Sequence, residues 1–248
     1  MSYLYREVSK LNRRILSFLL ALAVLFSNIA LAYAEDDDDD DWFDDEEGDG
    51  FDEEEDKRNL DTVSGYDTGE SFEFGDFMYQ LTEDGTGAIL TKYSHNQVEL
   101  VFPDKVDDDK PVVGIAIGLC ACDPVVESVV IPGSVKSIPN RAFATCPNLK
   151  TVILQEGVTH LDMCCFGGCE NLESIEFPES LEEIGNFAFA VCPKIKEIAF
   201  GTNLTTIGDQ AFFQCAELSK VVLPGGDNVT IGAMAFEMCA EDFQIVNE

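Results

Sequence analysis

The chain has 248 residues, of which 46% are hydrophobic, so it can bury one substantial core. Its 48 acidic and 15 basic residues give a formal net charge of −33. A field of that sign repels phosphate backbones and anionic lipid headgroups, which argues against binding nucleic acid or attaching to membranes through basic patches.

The first 34 residues have the composition of an export signal. A basic region at residues 10–14 precedes the almost wholly apolar residues 15–30. Ala32 and Ala34 then place small residues at the two positions that a signal peptidase recognises. The alternative is an uncleaved membrane anchor, because the apolar stretch approaches the roughly 20 residues that span a bilayer. We predict cleavage after Ala34 and a secreted or cell-surface location, with no transmembrane segment in the mature chain.

A strongly acidic segment follows the signal. Residues 35–58 contain 17 acidic and two basic residues. Such a segment repels itself and buries too little apolar area to offset the entropy of ordering, so we predict disorder over residues 35–70. Loose calcium binding is an alternative, although the segment lacks the glycine and ligand positions of a specific calcium loop.

From residue 98 onward the sequence repeats itself with a period of 23 residues. Positions that are equivalent in successive units form four columns: Phe143, Phe166, Phe189, Phe212 and Phe236; Cys146, Cys169, Cys192, Cys215 and Cys239; Ile138, Leu161, Ile184, Ile207 and Ile231; and Leu149, Leu172, Ile195 and Leu218. A fixed period in this range indicates a solenoid.

Each unit predicts the same local structure. The alternation in residues 152–154 (Val-Ile-Leu) indicates a short strand whose outer two residues point inward and whose central residue points outward. A second apolar pair comes next, and a glycine turns the chain. An Asn or Asp before a small residue and an inward Phe, as in residues 140–143, predicts one short helical turn.

The succession of Ile-Pro-x-x-Val-x-x-Ile and Ala-Phe-x-x-Cys-x-x-Leu resembles the BspA-like leucine-rich repeat family over about residues 112–239. The resemblance implies a leucine-rich-repeat-like solenoid in an exported bacterial protein with a binding or adhesion role. Residues 75–93 resemble the strand-rich segment that often precedes such repeats. The unit around residues 116–126 departs from the pattern, because Cys120 replaces the inward Phe and Asp123 replaces the repeat Cys.

These observations divide the chain into four predicted parts. They are a signal peptide (1–34), an acidic disordered segment (35–70), a β-strand-rich segment (71–110) and the repeat solenoid (111–248).

The repeat cysteines are expected to be free thiols that pack as an internal ladder. Neighbouring coils lie about 4.8 Å apart, and stacked side chains that point the same way strain an S–S torsion. Cys120 and Cys165 fill packing columns, whereas Cys122 and Cys164 fall in polar or mixed columns and are expected to be partly exposed.

Sites for chemistry are sparse. Cys120-x-Cys122 and Cys164-Cys165 lack the gap of two to four residues that lets two thiolates converge on zinc. His160 and Cys164 could form a catalytic pair, but His160 occupies an exposed strand position and no third group orients it. We predict no catalytic residue, no metal site and no cofactor.

The predicted function is a non-catalytic module that binds a protein or a cell-surface or matrix macromolecule. One alternative is a structural envelope protein that binds divalent cations loosely. The other is a hydrolase that uses the segment before the repeats, where the candidate groups are Asp76, Glu83, Asp84 and His95.

The predicted binding surface consists of the outward residues of the repeat strands. Four of the five central residues are apolar in an otherwise acidic chain, and lysines flank them, although strand propensity alone would also favour Val and Ile there. The predicted contact residues are Val130, Lys150, Thr151, Ile153, Glu173, Ser174, Glu176, Lys196, Ala199, Lys220 and Val222.

Overall fold

The computed structural model describes residues 71–106, 109–225 and 228–247, so the predicted signal peptide and acidic segment lie outside the described residues. Six strands precede the first regular repeat: β1 (Ser71–Phe74), β2 (Phe77–Leu81), β3 (Ala88–Tyr93), β4 (Glu99–Val101), β5 (Lys105–Val106) and β6 (Lys110–Ile115). Five of them form a mixed sheet in the order β1-β2-β3-β6-β5. Gly75, with a φ of 65°, opens the two-residue loop between β1 and β2, where a side chain would strain the backbone.

The repeats are a solenoid with two strands in each coil. The first strands are β7 (Ser128–Ile131), β9 (Thr151–Leu154), β11 (Ser174–Glu176), β13 (Glu197–Ala199), β15 (Lys220–Leu223) and β17 (Gln244–Asn247). The second strands are β8 (Ser137–Ile138), β10 (His160–Leu161), β12 (Glu183–Ile184), β14 (Thr206–Ile207) and β16 (Thr230–Ile231). We call the surface formed by the first strands, together with β4, the front face, and the surface formed by the second strands the back face.

Strands of successive coils pair in parallel at equivalent positions. On the back face, one continuous sheet runs in the order β16-β14-β12-β10-β8. On the front face, β4, β7, β9 and β11 form one sheet, and β13, β15 and β17 form another. The register joins Val130 to Ile153 and Ile153 to Glu176, so one repeat unit advances the chain by one strand position.

The predicted helical turn is wrong, because the described residues contain no α-helix and this segment consists of two successive tight turns. The N–H groups of Ala142 and Ala144 close these turns by donating to the carbonyls of Pro139 at 3.2 Å and Arg141 at 3.1 Å. Arg141 and Thr145 have positive φ angles of 58° and 56°, and equivalent residues repeat this conformation in the other coils. The N–H of Phe143 donates to the carbonyl of Cys165 at 2.8 Å, and that of Thr145 to the carbonyl of Gly167 at 2.7 Å. These N–H groups bond to the next coil, so they cannot close a helical turn within their own coil.

The core is a column of phenylalanine rings. Successive rings from Phe143 to Phe236 lie 5.1–5.5 Å apart with their planes within 9° of parallel. Beside the rings, the thiol of each repeat Cys donates to a carbonyl of the preceding coil, such as Cys192 Sγ to the carbonyl of Phe166 at 3.2 Å. All nine cysteines are free, which confirms the predicted thiol ladder.

One expectation about the cysteines is wrong. Cys122 is half-buried, but Cys164 is almost fully buried, and burial raises the pKa of its thiol to about 11. Cys164 lies in the column that holds Arg141 and Phe187 in the adjacent coils, so the size and polarity of its column neighbours did not indicate its burial.

Candidate binding surface

The front face places the predicted contact residues in rows across the strands. Val129, Val152 and Val221 are fully buried, and their chain neighbours are more exposed, as the alternation predicts. In the central row, Val130, Ile153 and Val222 are half-buried, and Glu176 and Ala199 are exposed. In the flanking rows, Thr151, Ser174 and Lys220 are the first residues of β9, β11 and β15. Lys150, Glu173 and Lys196 come directly before β9, β11 and β13.

Two residues that sequence reasoning missed extend the central row. Val101 on β4 pairs with Val130, and Val246 on β17 pairs with Val222. The Val101 residue is 55% exposed although it is apolar. The alternation of buried Leu100 with exposed Val101 was the available signal, but Val101 lies 29 residues before its partner Val130 and so falls outside the period of 23.

The front face is interrupted in its middle. Strands β11 and β13 do not pair, although the back-face strands of the same two coils do pair. In the other coils, the N–H of the first strand residue or of the residue before it donates to the preceding coil, as Ser174 does to the carbonyl of Lys150 at 3.1 Å. The equivalent bond from Glu197 to Glu173 is missing. The predicted contact residues therefore fall on two sheets: Val130 to Glu176 on the first, and Lys196 to Val222 on the second.

A pair of aromatic residues lies at the interruption. The second inward position of the first strands holds Ile131, Leu154 and Leu223 in three coils, but Phe177 and Phe200 occupy it in these two. Their ring centroids are 4.9 Å apart and their planes are tilted by 46°. This tilted pair differs from the parallel stacking of the Phe143–Phe236 column, and it lies where the front-face strands do not pair.

A lysine occupies an asparagine column at the same junction. Asn148 Nδ2 donates to the carbonyl of Pro124 at 2.7 Å, and Asn171 Nδ2 donates to that of Pro147 at 2.6 Å, so each asparagine joins two coils. Lys194 occupies this position in the next coil, and its Nζ donates to Asn171 Oδ1 at 2.5 Å. The ammonium group of Lys194 therefore makes the link between these two coils that an asparagine amide makes at the two preceding junctions.

The interruption opens a groove with a volume of about 490 Å³, which we call the slot. The slot is lined by Glu173, Ser174, Lys194, Lys196 and Glu217. The Lys196 side chain is 72% exposed, and its Nζ lies 3.8 Å from Glu217 Oε2, beyond direct hydrogen-bond distance. By contrast, Lys150 Nζ bonds to Glu127 Oε2 at 2.7 Å, so Lys196 is the less engaged of the two ammonium groups.

The hydrolase candidates do not converge. Asp76 accepts a hydrogen bond from Gln97 at one end of β2, and Glu83 and Asp84 follow the other end. Hydrogen bonds from Thr82 and then Thr86 lower the pKa of Asp84 to about 2. These bonds lie within one turn, which accounts for Asp84 as a structural residue.

His95 does have a carboxylate partner, which is Asp123. The Asp123 residue is 2% exposed, and it accepts hydrogen bonds from Tyr93 Oη, from His95 Nδ1 at 2.9 Å and from the backbone N–H groups of Val125 and Val126. Burial alone would raise the pKa of Asp123, but these hydrogen bonds outweigh burial and lower it. The departure of Asp123 from the cysteine column therefore joins β3 to the first coil.

Neither histidine lies in a catalytic arrangement. Near His95 and Asp123, the thiol of Cys120 is fully buried, and burial raises its pKa well above the ordinary value, so it supplies no thiolate nucleophile. His160 Nδ1 contacts Thr159 Oγ1 at 2.8 Å and its Nε2 lies 3.9 Å from Glu183, while Cys164 is buried.

Across the described ranges, no three His, Cys, Asp or Glu side chains are grouped as metal ligands would be. Residues 71–247, apart from their two short gaps, include no helix with the length and hydrophobicity to cross a membrane.

A family model for the BspA-type leucine-rich repeat region matches residues 120–241 in six copies. The solved T. pallidum leucine-rich repeat protein is 28% identical over 71% of this chain and 86% of its own, with a TM-score of 0.58. A leucine-rich cell surface protein of Faecalibacterium prausnitzii is 25% identical over 73% of this chain and 55% of its own, with a TM-score of 0.54. The pneumococcal vaccine antigen PcpA is 26% identical over 73% and 50% of the two chains, with a TM-score of 0.60, so this chain spans about half of the last two proteins. No curated protein matches the sequence.

Proposed function

Because the chain belongs to the BspA-type leucine-rich repeat proteins, we propose that it is a secreted or cell-surface binding module, without catalysis, whose front face recognises a macromolecular partner. The cell-surface description of the Faecalibacterium prausnitzii relative supports this location. Solenoids of this kind offer extended sheet surfaces to their ligands.

The observation that carries the proposal is the composition of the central row. Val101, Val130, Ile153, Ala199 and Val222 expose apolar side chains on a chain with a net charge of −33. The equivalent outward positions of the back face are polar: Ser137, His160, Glu183, Thr206 and Thr230. An apolar row between polar rims is the usual composition of an interface core, and it distinguishes the front face from the back.

The test adds two carboxylates to each face in turn. The front-face variant is Ile153→Glu with Ala199→Glu, and the matched back-face control is Ser137→Glu with Thr230→Glu. We expect the front-face variant to lose saturable binding to immobilised matrix proteins or cell-wall polysaccharide, because buried carboxylates without a partner oppose association. The control should bind like the unmodified protein. Binding by the front-face variant together with loss in the control would overturn the proposal.

The polarity of Gln210 suggests Gln210→Lys as a second control variant on the turn side of the repeat, but the structure makes this residue unsuitable. The residue is only 7% exposed, and its Oε1 is buried without a hydrogen-bond donor. A lysine at this position would therefore bury a charge, and any loss of binding could reflect unfolding.

A further inference from the structure

We propose that the slot between β11 and β13 is a peptide-binding site, which takes an extended polypeptide segment with at least one carboxylate. This inference rests on the proposed function, since it names the class of partner that the front face takes. Addition of a peptide to an open strand edge is an established mode of recognition, in which main-chain hydrogen bonds give affinity and side-chain contacts give specificity.

The slot is a local opening in an intact solenoid. Across the same junction, Ile184 pairs with Ile207 on the back face, and the N–H of Phe189 donates to the carbonyl of Ala211 at 2.8 Å in the turns. The Phe189 and Phe212 rings stack at 5.1 Å, as rings do in the other coils. Two of the three connections between these coils are therefore normal, and only the front-face connection is open.

The opening leaves main-chain N–H and carbonyl groups without the hydrogen bonds that the equivalent groups form in the other coils. At the preceding junction, the carbonyl of Lys150 accepts bonds from the N–H groups of Glu173 and Ser174 at 3.0 and 3.1 Å. At the slot, the equivalent carbonyl of Glu173 accepts no backbone N–H of the described residues, and the N–H groups of Lys196 and Glu197 donate to none of their backbone carbonyls. A main chain laid against this edge would restore these bonds, whereas a glycan or a lipid tail offers no matching ladder.

The charges at the slot explain why the segment should carry a carboxylate. The ammonium group of Lys196 is exposed and lies too far from Glu217 for a direct hydrogen bond. A ligand carboxylate could reach it, and Ser174 could donate to a second carboxylate oxygen. The volume of about 490 Å³ lies within the range of peptide and small-ligand sites, which is about 300–1,000 Å³.

The departures from the repeat at this junction suggest a variant designed to close the slot. Lys194→Asn restores the amide bridge that Asn148 and Asn171 make, and Phe177→Leu with Phe200→Leu restores aliphatic packing. We call this triple substitution the closed-slot variant. Lys136→Asn, which removes an exposed lysine on the other side of the repeat, is its control for the loss of charge.

The experiment selects short random peptides displayed on phage against the full chain and measures the selected peptides on each variant. Amide hydrogen exchange then reports the strand edge. We expect the N–H groups of Lys196 and Glu197 to exchange quickly in the free protein, and slowly in the peptide complex and in the closed-slot variant. We expect peptide affinity to fall about tenfold or more in the closed-slot variant, as loss of main-chain hydrogen bonds implies, and to be unchanged in Lys136→Asn.

Three results would overturn the slot. They are slow exchange at Lys196 and Glu197 in the free protein, the absence of any peptide that prefers the open form, and equal peptide affinity in the closed-slot variant. Binding of the front-face macromolecule is also measured on the closed-slot variant. If this macromolecule binds normally to the closed-slot variant but not to Ile153→Glu with Ala199→Glu, the peptide site in the slot is refuted and the proposed function stands.

Discussion

Phe189→Ala should destabilise the solenoid from its middle. Phe189 is fully buried, and its ring lies 5.4 Å from that of Phe166, 5.1 Å from that of Phe212 and 5.7 Å from that of Phe177. Removing such a ring costs about 3–5 kcal/mol through lost transfer energy and the cavity left behind. For a folded region of this size, that cost lowers Tm by about 6–20 °C.

Thermal unfolding followed by circular dichroism measures this loss, and Phe74→Ala is the matched control. Phe74 is 45% exposed on an edge strand, so the same truncation there should change the free energy of unfolding by about 0.5 kcal/mol or less. Because coils contact only their neighbours, hydrogen exchange in Phe189→Ala should accelerate first in the flanking coils. Equal melting temperatures for the two variants would refute the stacked core.

Asp123→Asn should lower the stability by about 1–3 kcal/mol at neutral pH, because the carboxylate accepts four hydrogen bonds and has a lowered pKa in the folded state. Because the pKa of Asp123 is lowered in the folded state, its carboxylate stabilises the fold above the unfolded pKa of about 3.9, and this stabilisation is lost as the pH falls. The melting curves of the two proteins should therefore converge below about pH 4. A difference that stays constant with pH would contradict this account. Alkylation followed by mass spectrometry should modify Cys122 first, because four of the five repeat thiols are buried and burial raises the pKa of the fifth, the half-buried Cys239, to about 12. Full protection of Cys122, or a disulfide between Cys146 and Cys169, would be the contrary result.

The period of the sequence was sufficient to predict the core. A side chain that recurs every 23 residues occupies the same place in every coil, so Phe143 and Phe166 had to stack once the solenoid was inferred. The inward and outward positions of each strand followed from simple alternation. The thiol ladder followed in the same way, because equivalent side chains of neighbouring coils are one strand spacing apart.

Features that break the period could not be predicted in the same way. Asp123 stood out as a departure, but its partners Tyr93 and His95 lie about thirty positions earlier on a strand outside the repeat. The slot appears only in the pairing of whole strands, and the replacement of aliphatic residues by Phe177 and Phe200 at this junction looks conservative in the sequence. The positive φ of Arg141 is set by hydrogen bonds to the next coil, and its side chain carries no signal for that conformation.

The missing front-face connection also has a mechanical consequence. A tensile load along the stack is shared, at an ordinary junction, by hydrogen bonds of the front face, the back face and the turns. The junction between β11 and β13 carries the same load on the back face and the turns alone. Rupture under force should therefore begin at this junction and separate the solenoid into two blocks of coils. A strand laid in the opening would share that load, so occupancy and tensile strength would rise together.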